Sequence, residues 1–279
     1  MKKIFSALSF TKRFFLYFLL TGGALIMVMP FIWMVFTSLK TPEQVFIWPP
    51  KMFPTELHWE NFKTVLSRIN FTRYTLNTLK IALIVTASQL FTCSLSGYAF
   101  ARLRFPGREA LFIAYLATMM IPFQATMIPN FILMRVLGLV DTHTGLILPS
   151  LTSAFGTFLM RQFFLTFPSE LEDAAKLDGC NPLYFYWRIL LPLAKPILAT
   201  LAVMTFQGTW NDFLWPLIMI SNPVKRTLQV GLSYLISPYA TDWPILMAGA
   251  IMTLLPIIIL FFFAQNYFVQ SVKMTGIKG

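Results

Sequence analysis

The stretch Ser169–Pro192, SELEDAAKLDGCNPLYFYWRILLP, sets Glu170, Glu172, Asp173, Lys176, Asp178 and Arg188 into a chain that is otherwise strongly apolar. Its first half reads as a short capped helix. Ser169 followed by Glu172 has the spacing of a capping box, in which hydroxyl and carboxylate each satisfy an orphan amide. Glu170, Glu172 and Asp173 crowd the first turn, where the helix dipole favours negative charge. The helix is predicted to run to about Leu177 and to stop at Gly179, a residue suited to a left-handed C-terminal cap. Asn181 and Pro182 restart it as N-cap and first helical residue, and Pro192 is expected to end the second helix. Two capped helices joined by a tight turn are too polar to span a membrane and too well specified to be disordered. The second displays Tyr184, Phe185, Tyr186 and Trp187 in succession. Four adjacent aromatics left in water are costly. They are covered either by the chain's own bundle and the lipid headgroup zone or by a partner.

Outward from this island the chain turns apolar. Of 279 residues, 57% are hydrophobic and 12% charged, with a mean hydropathy of +0.67; soluble chains carry about 25% charged residues. A lipid-spanning helix needs roughly 20 apolar residues, so the gaps between charges serve as a ruler. Six gaps predict an all-α membrane protein with six transmembrane helices, at about 14–37, 76–101, 110–134, 144–166, 196–219 and 245–268. The parts are then a cytoplasmic N-terminus (1–13), a first span (14–37), an outer loop (38–75), a core of the remaining spans (76–268) and a cytoplasmic tail (269–279). The island sits in the core's inner loop, 167–195. The first apolar run is too long for a signal-peptide core and has no small-x-small cleavage site after it, so it is expected to stay as an anchor. Pro30, Pro122, Pro129, Pro149, Pro216 and Pro256 fall inside the spans. Freed carbonyls there need neighbouring helices, which points to a bundle interior. The third span, with Pro122, Gln124, Pro129 and Asn130, is the least regular and is expected to break.

The net charge of +11 would raise nucleic acid as a partner in a soluble domain. Here the basic residues are scattered between spans and read as topology signals, with no nucleic acid implied. RLRFPGRE, carrying Arg102, Arg104 and Arg108, places that loop and both termini inside by the positive-inside rule. The protein is therefore expected in the cell membrane as a multi-pass chain in contact with lipid. In the outer loop, Phe62, Val65, Leu66 and Ile69 recur at helical spacing and predict an amphipathic helix. Cys93 and Cys180 form neither a disulfide framework nor a metal cluster.

No catalytic constellation is visible. His58 and His143 lack a neighbouring nucleophile or ligand, and no GxxxxGK[ST] loop exists to cradle ATP phosphates. The chain is predicted to be no enzyme, to hold no cofactor or metal, and to draw energy from elsewhere. The fifth span groups Gln207, Thr209, Trp210, Asn211 and Asp212. Intramembrane ionisable groups are expensive and usually functional, and an aromatic beside amides and a carboxylate suits a sugar. Three readings stay open: these residues line a substrate pathway, they pack against a second subunit, or Asp212 sits at the wet outer rim.

Asp173-Ala174-Ala175, then Gly179, then Ile189-x-Leu191-Pro192 resembles the EAA loop of binding-protein-dependent ABC importer permeases. The flanking RQFFLTFPSELEDAAKLDG and TWNDFLWPLI, the outer TSLKTPEQVF and the tail TGIKG are similar to the carbohydrate-uptake branch, the maltose-type inner-membrane subunit. The motif's leading Glu is Asp173 here, with Glu172 just before it. The resemblance implies a type I importer permease bundle and a subunit that moves sugars (oligosaccharides, or related polyols or glycerol phosphate) by alternating access. It implies a second homologous permease as heterodimer partner, two ATPase subunits that hold ATP, and an extracellular or periplasmic solute-binding protein. Glu172, Asp173, Ala174, Ala175, Asp178, Gly179, Tyr184, Phe185 and Trp187 would couple the chain to the ATPase, and the tail would reach between the ATPase subunits or fray. The rival reading is an ion-coupled secondary transporter. It would need several ionisable groups in its spans, whereas Asp212 is the sole interior acid.

Overall fold

The computed structural model describes residues 10–237 and 241–275, and all regular structure among them is helical. The expected N-terminal segment falls largely outside these residues, as do the last four residues of the tail. The chain divides into two compact units, Met1–Ile69 with Tyr234–Leu254, and Asn70–Ser233 with Leu255–Gly279.

In the first unit, α1 (Phe10–Ser38) is a single helix that runs through Pro30. Its apolar surface, from Phe14 to Val35, is almost wholly exposed on this chain; water would make that costly, and lipid would not. Two short elements follow, α2 (Pro42–Val45), capped by the Thr41 hydroxyl, and α3 (Glu60–Arg68). Helix α3 is the predicted amphipathic helix of the outer loop. Val65 and Ile69 are buried, while Leu66 lies half exposed. Lys40 ties the loop together: it is buried, its Nζ donates to the Lys51 carbonyl and it lies over the Trp33 ring. Burial lowers the Lys40 pKa. Asn61 Nδ2 donates to the carbonyls of Ser38 and Lys40, and Arg68 pairs with Asp242 at 3.5 Å.

The second unit is built on α4 (Phe71–Arg102), whose buried residues include Ile81, Val85, Cys93 and Tyr98. It packs against α8 (Ala154–Leu165) and α12 (Lys195–Trp210). Gly97 makes the first contact possible. A Cβ there would sit 2.6 Å from Met160 Cβ and 2.9 Å from the Arg161 amide. Between them the chain forms α5 (Arg108–Ala117), a 3-10 turn Thr118–Met120, α6 (Phe123–Val136) and α7 (His143–Ile147).

By length and composition, Lys12–Ser38, Phe71–Arg102 and Trp243–Phe263 are each able to cross a membrane; the last lies in the helix Trp243–Thr275. Two bent helix pairs pass the same test only when taken together, Arg108–Met120 with Phe123–Val136 at 99° and Pro182–Leu193 with Lys195–Trp210 at 77°, so up to five of the six expected crossings are accounted for. The first bend falls at Pro122, as the irregular third span predicted. The fourth predicted span is a break rather than one helix: α7, a 3-10 turn Leu148–Ser150 containing Pro149, then α8 beginning at a Ser153 cap. Side chains of α4 take up the freed carbonyls. Gln89 Nε2 donates to Ser150 O at 2.8 Å, and Ser88 and Thr92 both donate to Leu151 O at 2.9 Å. A backbone interrupted at membrane depth persists where protein re-satisfies it in this way. The fifth predicted span stops at Trp210 and resumes as α13 (Leu214–Met219).

On the far side of the break, Asp141 adopts a left-handed conformation (φ 58°). Its carboxylate accepts from the amides of Ser221 (3.1 Å) and Asn222 (3.0 Å), and Lys225 Nζ donates to its carbonyl at 2.7 Å. His143 Nε2 lies 2.9 Å from Lys225 O. These contacts latch the segments on either side of the core. The Asn222 amide, followed by the Lys225 charge, holds the Asp141 carboxyl below its ordinary pKa.

Candidate functional site

The island opens with α9 (Ser169–Leu177), but not with a capping box. Pro168 occupies the N-cap, and the Ser169 hydroxyl makes no capping bond. Glu172 is drawn elsewhere, to Lys176 Nζ at 3.0 Å and Arg102 Nη1 at 3.9 Å. The end of α9 is as predicted. Gly179 has φ 79°, Cys180 N donates to Ala175 O at 2.9 Å and Gly179 N to Lys176 O at 3.0 Å. This is the paired hydrogen bonding of a Schellman cap. Asn181 Oδ1 then caps the next helix by accepting from Tyr184 N at 2.7 Å, with Pro182 at the first helical position.

Pro192 stands inside the last turn of that helix, which ends one residue beyond it at Leu193. After α10 (Pro182–Phe185) the backbone widens into a π turn, Tyr186–Leu190, in which Leu191 N–H bonds to Tyr186 O. The chain continues through α11 (Leu191–Leu193) and turns 77° near Ala194 into α12. A proline has no N–H to offer the preceding turn. The wider register takes up that missing donor within the last turns of the helix, so Pro192 lies just inside its end at Leu193, and the chain enters α12 after the bend at Ala194.

Three residues of α4 hold the island: Ser94, Tyr98 and Arg102, one every four residues along one face. Ser94 Oγ and Tyr186 Oη lie 2.7 Å apart, both buried, and Tyr98 Oη donates to Pro182 O at 3.0 Å. Arg102 Nη2 donates to Phe164 O (2.7 Å) and Phe167 O (2.6 Å), closing the C-terminal end of α8 where carbonyls lack helical partners. One arginine thus ties the end of α8 and the start of α9 to the end of α4. This stripe was missed from sequence. Its signal was three polar residues at four-residue spacing at the end of an apolar helix.

The expected coupling residues divide by exposure. Asp173, Ala174, Asp178 and Gly179 face outward, whereas Ala175 is buried. Glu172 is largely enclosed by Arg102 and Lys176, while the Asp173 side chain stays 69% exposed; the outward carboxylate of the pair is Asp173. The Glu172 hydrogen bond raises the Lys176 pKa. Among the four aromatics, Phe185 (4% exposed) and Tyr186 (0%) belong to the chain's own core, with Met160, Phe164 and Leu190. Phe185, predicted on the docking surface, therefore has no face to offer there. Tyr184 is half exposed, beside exposed Leu177 (89%) and Leu183 (60%). Trp187 is also half exposed but leans on Phe91 of α4, ring centroids 6.4 Å apart.

A cavity of about 400 Å³ opens between α4, α12 and the broken fourth segment. Its polar lining includes Gln89, Ser150, Thr205, Thr209, Asp212 and Thr227. The Gln89 amide is held at both ends, by Ser150 O and by Thr205 Oγ1 at 3.0 Å. Of the predicted pathway residues, Asp212 alone lines this cavity, with Thr209 beside it. Trp210 is fully buried and stacked on Phe206 (5.6 Å, 16°), so it presents no ring to a sugar. Asn211 accepts from Gln229 at 3.1 Å, and Gln207 is exposed away from the cavity. At the end of α12 the chain turns, and successive residues leave on different faces. Gln89, 116 residues before Thr205 in the chain but hydrogen-bonded to it, was invisible as a lining residue because only packing brings α4 to α12.

Residues 94–274 match the family described as binding-protein-dependent transport system inner membrane component. The chain is 41% identical over 203 residues to the arabinooligosaccharides transport system permease protein AraQ of Halalkalibacterium halodurans, covering 73% of each chain. It is 37% identical over 255 residues to the lactose transport system permease protein LacG of Rhizobium radiobacter, covering 91% of this chain and 93% of that one. Its fold is similar to a chain in the crystal structure of a bacterial ABC transporter involved in import of the acidic polysaccharide alginate, with a TM-score of 0.81, 27% identity, and coverage of 94% and 99%. The chain belongs to the family of binding-protein-dependent transport system inner membrane components.

Proposed function

We propose that this chain is one permease subunit of an ATP-driven importer of sugars, moving its substrate by alternating access. Similarity to permeases named for arabinooligosaccharide and lactose transport supports the substrate class. The observation that carries the mechanism is the island. Its two helices are joined by hydrogen-bonded caps, it exposes apolar Leu177, Leu183 and Tyr184 as a tip, and it is fastened to α4 by Ser94, Tyr98 and Arg102. The tip fits a cleft on an ATPase subunit, with Asp173 as the carboxylate offered to it. A push on the tip would reach α4 through the three fastenings and α12 through the continuous backbone, in the manner of rigid-body switching. The partners are a second, homologous permease, two ATPase subunits that bind the ATP, and a solute-binding protein. Both termini lie in the cytoplasm, and the cavity beside Asp212 forms part of the substrate path.

The test is reconstitution. The purified chain alone should hydrolyse no ATP, and hydrolysis stimulated by the binding protein should appear only with both permeases and the ATPase subunits present. Turnover by the chain alone, or failure of the ATPase to co-purify with the permeases, would overturn the proposal.

A further inference from the structure

The cavity beside α12 is asymmetric in charge. Asp212 is the one charged residue that lines it, and no Lys, Arg or His does so among the described residues. The carboxylate has no basic partner among the residues that line the cavity. Thr227, also in the lining, is 3% exposed, and its hydroxyl has no hydrogen-bond partner among the described residues. Buried polar groups are nearly always paired, so this hydroxyl is poised for something that enters the cavity. With the amide of Gln89 satisfied at both ends, the groups left to a visitor are hydroxyls and one carboxylate. That set accepts hydrogen bonds from sugar hydroxyls and repels an anion.

We infer that Asp212 makes this cavity a charge filter, one that admits neutral polyhydroxylated or cationic ligands and rejects phosphorylated or uronate sugars. The inference rests on the reading of the cavity as part of the substrate path. It assigns to this chain a share in selectivity that is separate from the binding protein's.

The experiment reads the cavity's potential without needing the natural sugar. Asp212 N donates to Thr209 O at 3.3 Å, so a thiol at residue 209 lies about one helical turn away. In the assembled transporter in detergent, Thr209→Cys is reacted with a cationic (trimethylammonium-ethyl) and an anionic (sulfonatoethyl) methanethiosulfonate. The parent protein, with Cys93 and Cys180, supplies the background. Gly208→Cys serves as a second probe, since nothing lies within 4 Å of a Cβ there. Relative to a free thiol, the cationic reagent should be favoured by about tenfold or more, the factor for unit charges about 6 Å apart even at the dielectric of water. Adding Asp212→Asn should bring the ratio to about one. A ratio unchanged by Asp212→Asn would overturn the filter and leave the pathway reading standing. No reaction of either probe would mean a sealed cavity, and would remove the pathway reading and the filter together.

Discussion

Gly179 and Arg102 show what single residues contribute here. At φ 79° Gly179 has open space around a notional Cβ, so a side chain there would meet no steric clash, only backbone strain. The left-handed region costs an L-residue roughly 1–2 kcal/mol, and a β-branched residue is an outlier in it. Gly179→Val should therefore shift the bend between α9 and α10 while leaving the core intact. The expected outcome is normal abundance in membranes with most substrate-stimulated ATP hydrolysis lost, and Gly179→Asn, which tolerates this conformation, retaining more of it. Normal uptake by the valine variant would show that the bend carries nothing. Arg102 is the counterpart in charge: its Nη2 serves two carbonyls while Nη1 faces Glu172, a division between two nitrogens that the single ammonium nitrogen of lysine does not offer.

Among the elements, the broken fourth segment shows how a membrane helix is interrupted and still held. Ser88, Gln89 and Thr92 hydrogen-bond its carbonyls on one side, and the Asp141 latch holds the chain beyond it. Asp141→Ala would lose an acceptor shared by two amides and would place at φ 58° a residue that tolerates the left-handed region less well than aspartate. A loss of about 2–4 kcal/mol is expected from the two together, read as a lower apparent Tm of the detergent-purified protein, whereas Asp141→Asn should lose much less. The pH dependence has a definite sign. Because the folded-state pKa of Asp141 is lowered, its contribution is complete above the ordinary aspartate range and fades as the pH falls through the lowered value. The wild-type advantage over Asp141→Ala should hold at neutral pH and shrink on acidification below about 4. An advantage independent of pH down to that range would leave the ionised carboxylate with no part in the latch.

At the scale of the whole molecule, the aromatic run separates two jobs that one sequence pattern carries. Phe185→Ala and Tyr186→Ala would open cavities in the core, a change that typically costs 3–5 kcal/mol for a large aromatic, and should lower the subunit's own abundance. Tyr184→Ala touches no core and should release the ATPase from intact membrane subunits, since truncating an interface aromatic often costs ~2 kcal/mol or more. Pull-down of the ATPase, alongside quantification of the permease in membranes, distinguishes the two classes. Wild-type ATPase binding by both Tyr184→Ala and Leu177→Ala would remove the tip as the docking surface.

What the sequence determined by itself was local or compositional. Membrane class followed from the charge-free gaps, the break near Pro122 from the proline, and the bend after α9 from Gly179, because each depends on residues within one turn of the chain. The island itself was legible for the same reason, being a run of caps and charges set in an apolar chain. Other features depended on neighbours remote in sequence. Glu172 looks like half of a capping box until Arg102 arrives beside it. Trp210 looks like a sugar platform until Phe206 and the core cover it. The cavity belongs wholly to this second kind. Asp212 could be named as the lone interior acid, but its lining partners Gln89, Ser150 and Thr227 come from segments far apart in the chain, and only the packing of α12, the broken fourth segment and the turn at Thr227 against α4 gathers them around one cavity.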